Sequence, residues 1–202
     1  MASCMADNGL TKPCIGVIWD GIGYGTDGSI WGCEFLAGDY KEFQRLGSLR
    51  PIPLPGGDRA VKEISRVGFA LLLESGCPER SKVPEEKQRL LGKMIAGGLN
   101  SPRASSMGRL FDGVYAILTS RERVTYEGQG AILLETMAET CETKYPVTLE
   151  QDGDRTVFDF RPMIRGLTDE LAAGAATALL AAKFMNTLVA LAQVQCQKIR
   201  ER

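Results

Sequence analysis

The sequence predicts a mixed α/β domain, and three observations carry that prediction. Apolar residues recur at helical spacing in capped segments, most clearly Met107, Leu110, Phe111, Val114, Ile117 and Leu118. Two apolar runs, Ile15–Trp19 and Ser29–Leu36, flank an acidic glycine-rich stretch as paired strands do. A second pair, Tyr145–Leu149 and Thr156–Phe160, flanks Gln151–Arg155, in which Asp152-Gly153 is a hairpin signal.

In chain order, Ala2–Asn8 reads as a helix with Gly9 as its stop. The first strand pair follows, and Tyr40–Leu49 reads as a short helix. Arg50–Asp58 holds three prolines at alternate positions, which favours an extended loop closed by Gly56-Gly57. Asp58 is a plausible N-cap for a helix over Ala60–Glu74. Gly76–Pro84 is loop-like, and Glu85–Ala96 is a helix ended by Gly97-Gly98. Ser105-Ser106 caps a helix over Met107–Leu118, on which Gly108, Asp112 and Tyr115 lie off the apolar stripe. Glu127–Gly130 is a turn before a helix over Ala131–Cys141. After the second strand pair, Pro162–Ala173 is a helix with proline at its first position and Gly174 as its cap. Ala176–Arg202 is a final helix, with cations at its C-terminal end.

A chain of 202 residues suits one large domain or two small lobes, and its 44% hydrophobic and 24% charged content is ordinary for a soluble globular protein. Net charge is −1 with dispersed Lys and Arg, which argues against nucleic acid or a membrane surface as partner. Ala175–Val194 is the longest apolar stretch, and Lys183, Asn186, Thr187 and Gln193 interrupt it. The six cysteines are widely spaced and never form Cys-x-x-Cys, so reduced thiols and a cytoplasmic location are expected. Without histidine, the chain itself has no Ser-His-Asp triad, Cys-His pair or His-ligated metal. A general base must then be a carboxylate, a lysine or the substrate.

The stretch Trp19-Asp20-Gly21-Ile22-Gly23-Tyr24-Gly25 bears most directly on function. Glycines at 21, 23 and 25 remove Cβ bulk, so backbone N–H groups can converge on an anion. Asp20, at the end of the first strand, could orient a nucleotide, a metal or a hydroxyl. A dinucleotide fingerprint needs a helix next; Ser29–Leu36 reads as a strand, which excludes it. Strand–acidic glycine turn–strand is the phosphate hairpin of the actin-like ATPase folds, although the same spacing suits an ordinary glycine-rich hairpin.

Blocks along the whole chain resemble the carbamoyltransferase domain of the hydrogenase maturation protein HypF, an actin-like (ASKHA) fold related to tRNA threonylcarbamoyl transferases. They are Ala2-Ser3-Cys4-Met5-Ala6-Asp7-Asn8-Gly9, Trp19 to Gly25, Gly32-Cys33-Glu34-Phe35-Leu36 and Arg50 to Asp58. They continue with Ser105-Ser106-Met107-Gly108-Arg109-Leu110-Phe111-Asp112, Val124-Thr125-Tyr126-Glu127-Gly128-Gln129 and Phe184-Met185-Asn186-Thr187-Leu188. The resemblance implies a mixed sheet with several helices, and residues 1–202 forming part of such a domain.

It also implies chemistry: carbamoyl phosphate and ATP with Mg give carbamoyl adenylate, and the carbamoyl group passes to the C-terminal cysteine of a HypE-like partner. Asp20, Gly21, Ile22, Gly23, Tyr24 and Gly25 would cradle phosphates, Asp112 would reach the ribose or adenylate, and Gly128 and Gln129 would line the nucleotide. Family members carry a histidine-rich zinc or iron motif before the Ala-Ser-Cys-Met stretch, and a strand and Gly-Gly loop after the final helix. Met1 and Arg202 stand where those would be, so an incomplete domain with no full turnover is expected, and its uncovered edges invite a homodimer. The residues also depart from the pattern at Ile22 (usually Thr), at Glu63-Ile64-Ser65-Arg66 (usually Glu-Pro-Trp-Arg) and at Met185 (usually His).

Overall fold

Ile30–Gly38 is the strand on which the sheet is built, and the computed structural model describes it within residues 1–202. Seven strands form one sheet: β1 Cys14–Tyr24, β2 Ile30–Gly38, β3 Phe43–Leu49, β4 Ile52–Pro53, β5 Arg103–Ser106, β6 Leu149–Asp152 and β7 Arg155–Phe158. β1 runs antiparallel along one edge of β2, from Cys14 opposite Gly38 to Tyr24 opposite Ile30. Two strands share the other edge. β5 lies parallel to Ile30–Gly32, and β3 lies antiparallel to Glu34–Gly38. The sheet therefore forks at β2, with β4 beyond β5 and with β7 and then β6 beyond β3.

Eight helices accompany it: α1 Ala2–Asp7, α2 Asp58–Lys62, α3 Ser65–Glu74, α4 Glu85–Ala96, α5 Met107–Thr119, α6 Gln129–Met137, α7 Arg161–Ala172 and α8 Thr177–Arg200. α5 is central, packing on β1 and β2 and against α3, α6, α7 and α8. A Cβ on Gly68 of α3 would lie 3.2 Å from Ala116 Cβ and 3.3 Å from the Gly113 carbonyl, so small residues bring α3 and α5 together. α8 meets α5 through an edge-to-face pair of Phe111 and Phe184, with ring centroids 5.0 Å apart. α8 is long and apolar enough to cross a membrane by length and composition, but Leu180, Phe184, Leu188 and Leu191 belong to the apolar core.

Several sequence expectations need correction. Tyr40–Leu49 is not a helix. Asp39 caps a tight turn, its Oδ1 accepting from the Lys41 and Glu42 amides at 2.8 and 3.3 Å, and β3 follows. Phe43, Leu46 and Leu49 mimic helical spacing because the register slips: Phe35 faces Gly47 while Leu36 faces Arg45, leaving Leu46 as an extra residue. The helix expected over Ala60–Glu74 is broken between Lys62 and Ser65, and Asp58 is its first residue, with Gly57 (φ 55°) as N-cap. The four-residue β5 is too short to have been read, and it includes Ser105 and Ser106. α6 starts two residues earlier than expected and stops at Met137, while Tyr145–Thr148 does not join the sheet.

Candidate functional site

The glycine-rich stretch is a bulge inside β1 and not the hairpin turn itself. Trp19 faces Cys33 and Gly23 faces Trp31, so Asp20, Gly21 and Ile22 share the single opposing residue Gly32. A Cβ on Gly32 would lie 2.7 Å from the Asp20 carbonyl oxygen and 3.1 Å from Ser106 Cα, so only glycine lets the bulge lean over β2 onto β5. The Ser106 hydroxyl donates to the Gly21 carbonyl and accepts from the Arg109 amide at 3.1 Å. One side chain thus caps α5 and tethers the bulge. Gly108 completes the fit, since a Cβ there would lie 2.9 Å from Gly21 Cα.

The bulge rests beside a buried charge group. Arg109 is 1% exposed; its Nη1 lies 3.1 Å from Asp112 Oδ2 and its Nη2 lies 3.6 Å from Glu127 Oε1. The same Glu127 oxygen is 2.6 Å from where a Gly21 Cβ would stand. Neither Arg109 Nε, Arg109 Nη1 nor Asp112 Oδ2 has a hydrogen-bond partner, so the ion pair is close but not aligned. Burial raises the Asp112 carboxyl to about 6; the Arg109 charge opposes that rise and Glu127 adds to it. α6 closes the far side, where a Gly130 Cβ would lie 2.7 Å from Asp112 Oδ1.

The expected site residues are distributed unevenly around this group. Gly21 and Asp112 meet across Arg109 and Glu127. Asp112 is 2% exposed although it lies off the apolar stripe of the helix. Asp20 is exposed, and its Oδ1 accepts from the Gly21 amide at 2.6 Å. Ile22 and Gly23 continue the strand outward, and Tyr24 is 91% exposed. Gly25 belongs to the hairpin tip, where its amide donates to the Ser29 carbonyl at 2.9 Å and Trp31 Nε1 occupies its Cβ direction. Gly128 is the left-handed N-cap of α6 (φ 81°), and Gln129 turns its Oε1 to the Thr125 amide at 2.7 Å. Sequence reasoning read Ser106 as a helix cap only and assigned neither it nor Arg109 or Gly32 to the site. The available signal for Arg109 was its i,i+3 spacing to Asp112.

Two further ionic networks lie outside this group. Glu34, buried on β2, accepts from Arg45 Nε and from Ser105 Oγ, both at 2.5 Å. Arg45 also reaches Asp27 at 3.0 Å and stacks 4.2 Å over the Trp31 ring. Hydrogen bonding from Ser29 holds the Asp27 carboxyl below its usual range. Glu63, in the block that departs from the family pattern, is buried and not a surface ion-pair partner. It accepts from Arg66 at 2.6 Å, Arg59 at 2.8 Å and Arg123 at 2.9 Å. Burial alone would raise its carboxyl, but Arg59, Arg66 and Lys87 hold it at about 2.

This arrangement offers backbone polar groups freed of side chains, a buried cation and a carboxylate that exchanges a proton near neutral pH, all without histidine. No three His, Cys, Asp or Glu side chains gather as a metal-binding group, so these residues do not fit a zinc or iron centre.

The family model for the second subdomain of the carbamoyltransferase Kae1-like domain matches residues 16–202. Carbamoyltransferase HypF2 of Cupriavidus necator is 43% identical over 143 residues, 69% of this chain and 18% of that protein. Carbamoyltransferase HypF of Synechocystis sp. is 35% identical over 92% of this chain and 27% of its own length. A crystal structure of full-length HypF in a phosphate- and nucleotide-bound form superposes with a TM-score of 0.93 at 34% identity, covering 98% of this chain and 27% of that one. The T. kodakarensis HypF structure gives a TM-score of 0.82 at 27% identity. The chain thus spans about a quarter or less of these relatives, and its mixed α/β architecture is the actin-like one of their Kae1-like domain.

Proposed function

The chain belongs to the HypF carbamoyltransferase family, and from that premise we propose that it supplies the phosphate-loop half of an adenylate site for carbamoyl transfer. The observation that carries the proposal is the seating of the Asp20–Ile22 bulge on Gly108, beside a buried arginine and a buried aspartate whose polar atoms lack partners. Buried polar groups are almost always satisfied, and a bound ribose or phosphate would satisfy these.

In this reading the backbone of the Asp20–Ile22 bulge faces the phosphates, Gly23, Tyr24 and Gly25 carry the strand on to the hairpin tip, and Asp112 accepts from a ribose hydroxyl. Arg109 holds Asp112 and adds positive charge where the adenylate forms, and Gly128 and Gln129 border the nucleotide. Asp20 keeps the Gly21 amide oriented. ATP arrives with Mg, the donor is carbamoyl phosphate through carbamoyl adenylate, and the acceptor is the C-terminal cysteine of a HypE-like maturation protein. The location is cytoplasmic. The test replaces the matching stretch of a full-length HypF with this chain and assays carbamoylation of HypE. Turnover in the chimera that Asp112→Ala abolishes is expected. A folded chimera that binds HypE but gives no product would overturn the proposal.

One observation favours a second reading, an interaction module that self-associates. β1 pairs only with β2, so its outer edge is free, and Val17, Ile22 and Tyr24 are exposed along the strand. Sedimentation showing a concentration-dependent dimer without nucleotide binding would support it, and a monomer at high concentration would exclude it.

A further inference from the structure

At the end of α5 remote from Gly108 and Asp112, a cavity of about 220 Å³ opens between α3, α5 and the chain leading into α4. Its floor is apolar, formed by Gly68, Phe69, Leu72, Ala116 and Ile117. Its rim carries Arg80, Lys82, Lys87 and Arg121 against one carboxylate, Glu122. Two of those cations are already engaged: Lys87 lies 2.6 Å from Glu122, and Arg80 lies 2.5 Å from Asp169. Lys82 and Arg121 are exposed and make no ion pair. The Ser65 hydroxyl also lines the cavity, and it is buried without a hydrogen-bond partner.

These features select a ligand. A cavity of about 150 Å³ admits benzene, so this one admits roughly eight or nine non-hydrogen atoms, too few for a nucleotide. The apolar floor disfavours a fully hydrated ion such as inorganic phosphate, because burying that ion there leaves its oxygens unpaired. The uncompensated cations disfavour a neutral hydrocarbon, which would leave their charge unused at the mouth. We propose that this cavity binds a small organic anion, a carboxylate on a short branched aliphatic body. The body lies on Phe69, Leu72 and Ile117, the carboxylate meets Lys82 and Arg121, and Ser65 donates a further hydrogen bond. The proposal uses none of the residues assigned to the adenylate site, so either can fail without the other.

The test titrates the chain with 4-methylpentanoate, a molecule of that size, while following the backbone amides of Gly68, Ile117 and Ser120 by NMR. Saturable shifts are expected, with affinity about tenfold or more above that for acetate, which lacks the body, and for 4-methylpentanamide, which lacks the charge. Arg121→Glu and Lys82→Glu, both at exposed side chains, each weaken binding by about tenfold and leave the melting temperature unchanged. Absence of saturable shifts at those amides would overturn the proposal. So would equal affinity for the amide, tighter binding of inorganic phosphate, or indifference to both charge reversals.

Discussion

Replacing Asp112 with asparagine changes how the stability of the fold depends on pH, by an amount the structure sets. The Asp112 carboxyl titrates at 3.8 when unperturbed and at about 6 in the folded chain, raised mainly by burial against the charge of Arg109. The side chain is 2% exposed, so solvent screening takes little from that difference. Between 3.8 and about 6 lie roughly 2.2 pH units, worth about 3 kcal/mol at ~1.36 kcal/mol each. The sign follows from proton linkage. Below the unfolded value both states hold the proton; between the two values only the folded state does; above about 6 neither does. The wild type therefore loses about 3 kcal/mol through this group as pH rises from about 4 to about 7, and the asparagine variant does not. Any constant cost of leaving Arg109 without its carboxylate shifts the variant equally at every pH. Urea unfolding of both proteins across that range isolates the effect, because the other titrating groups cancel in the difference. The stability of Asp112→Asn relative to wild type should climb by about 3 kcal/mol toward neutral pH. A flat difference, or one that falls with pH, would show that Arg109 holds Asp112 ionised and would refute the reasoning.

Glu63→Gln should cost about 3 kcal/mol at neutral pH in urea unfolding, because it unpairs the buried Arg66. The Glu63 carboxyl is depressed to about 2, so its contribution is present above the ordinary carboxylate value and is lost as pH falls through about 2; a loss under about 1 kcal/mol at neutral pH would contradict this. Ser106→Ala removes the N-cap of α5 and the tether to Gly21, and should cost about 1–2 kcal/mol, with faster hydrogen exchange at Met107–Arg109 than elsewhere in α5. Uniformly faster exchange along the helix would argue against that local role. Gly108→Ala should cost about 1–3 kcal/mol of stability, because its Cβ forces backbone to move and the helix preference of alanine, about 1 kcal/mol, offsets only part of that, while the same Cβ, 2.9 Å from Gly21 Cα, displaces Gly21. Thermal unfolding checks the first part, and nucleotide affinity, expected to fall about tenfold, checks the second.

The sequence was most legible where the signal is periodic or capped. The α5 stripe from Met107 to Leu118, the Ser106 cap, the Glu85–Ala96 helix and the Asp152-Gly153 hairpin stand close to where they were read. It misled where an extra residue shifted a strand's period. The bulge at Leu46 made β3 look helical, and the bulge over Gly32 made a strand interior look like a turn. The burial of Glu63 was also hidden, because Arg59 and Arg66 at helical spacing look the same around an exposed carboxylate. At the candidate site, glycines and carboxylates could be listed from local pattern alone. That Gly21 abuts Gly108 and Glu127 depends on how β1 crosses α5, a tertiary relation that no local spacing encodes.

The most direct test of the proposed adenylate site is a calorimetric titration of the chain with Mg-ATP, run beside Asp20→Ala and Gly108→Ala. Saturable binding in the wild type, weakened about tenfold or more in Gly108→Ala and reduced in Asp20→Ala, is the predicted result. No heat of binding in the wild type, or equal affinity in all three proteins, would contradict the claim that the bulge seated on α5 is a working phosphate loop.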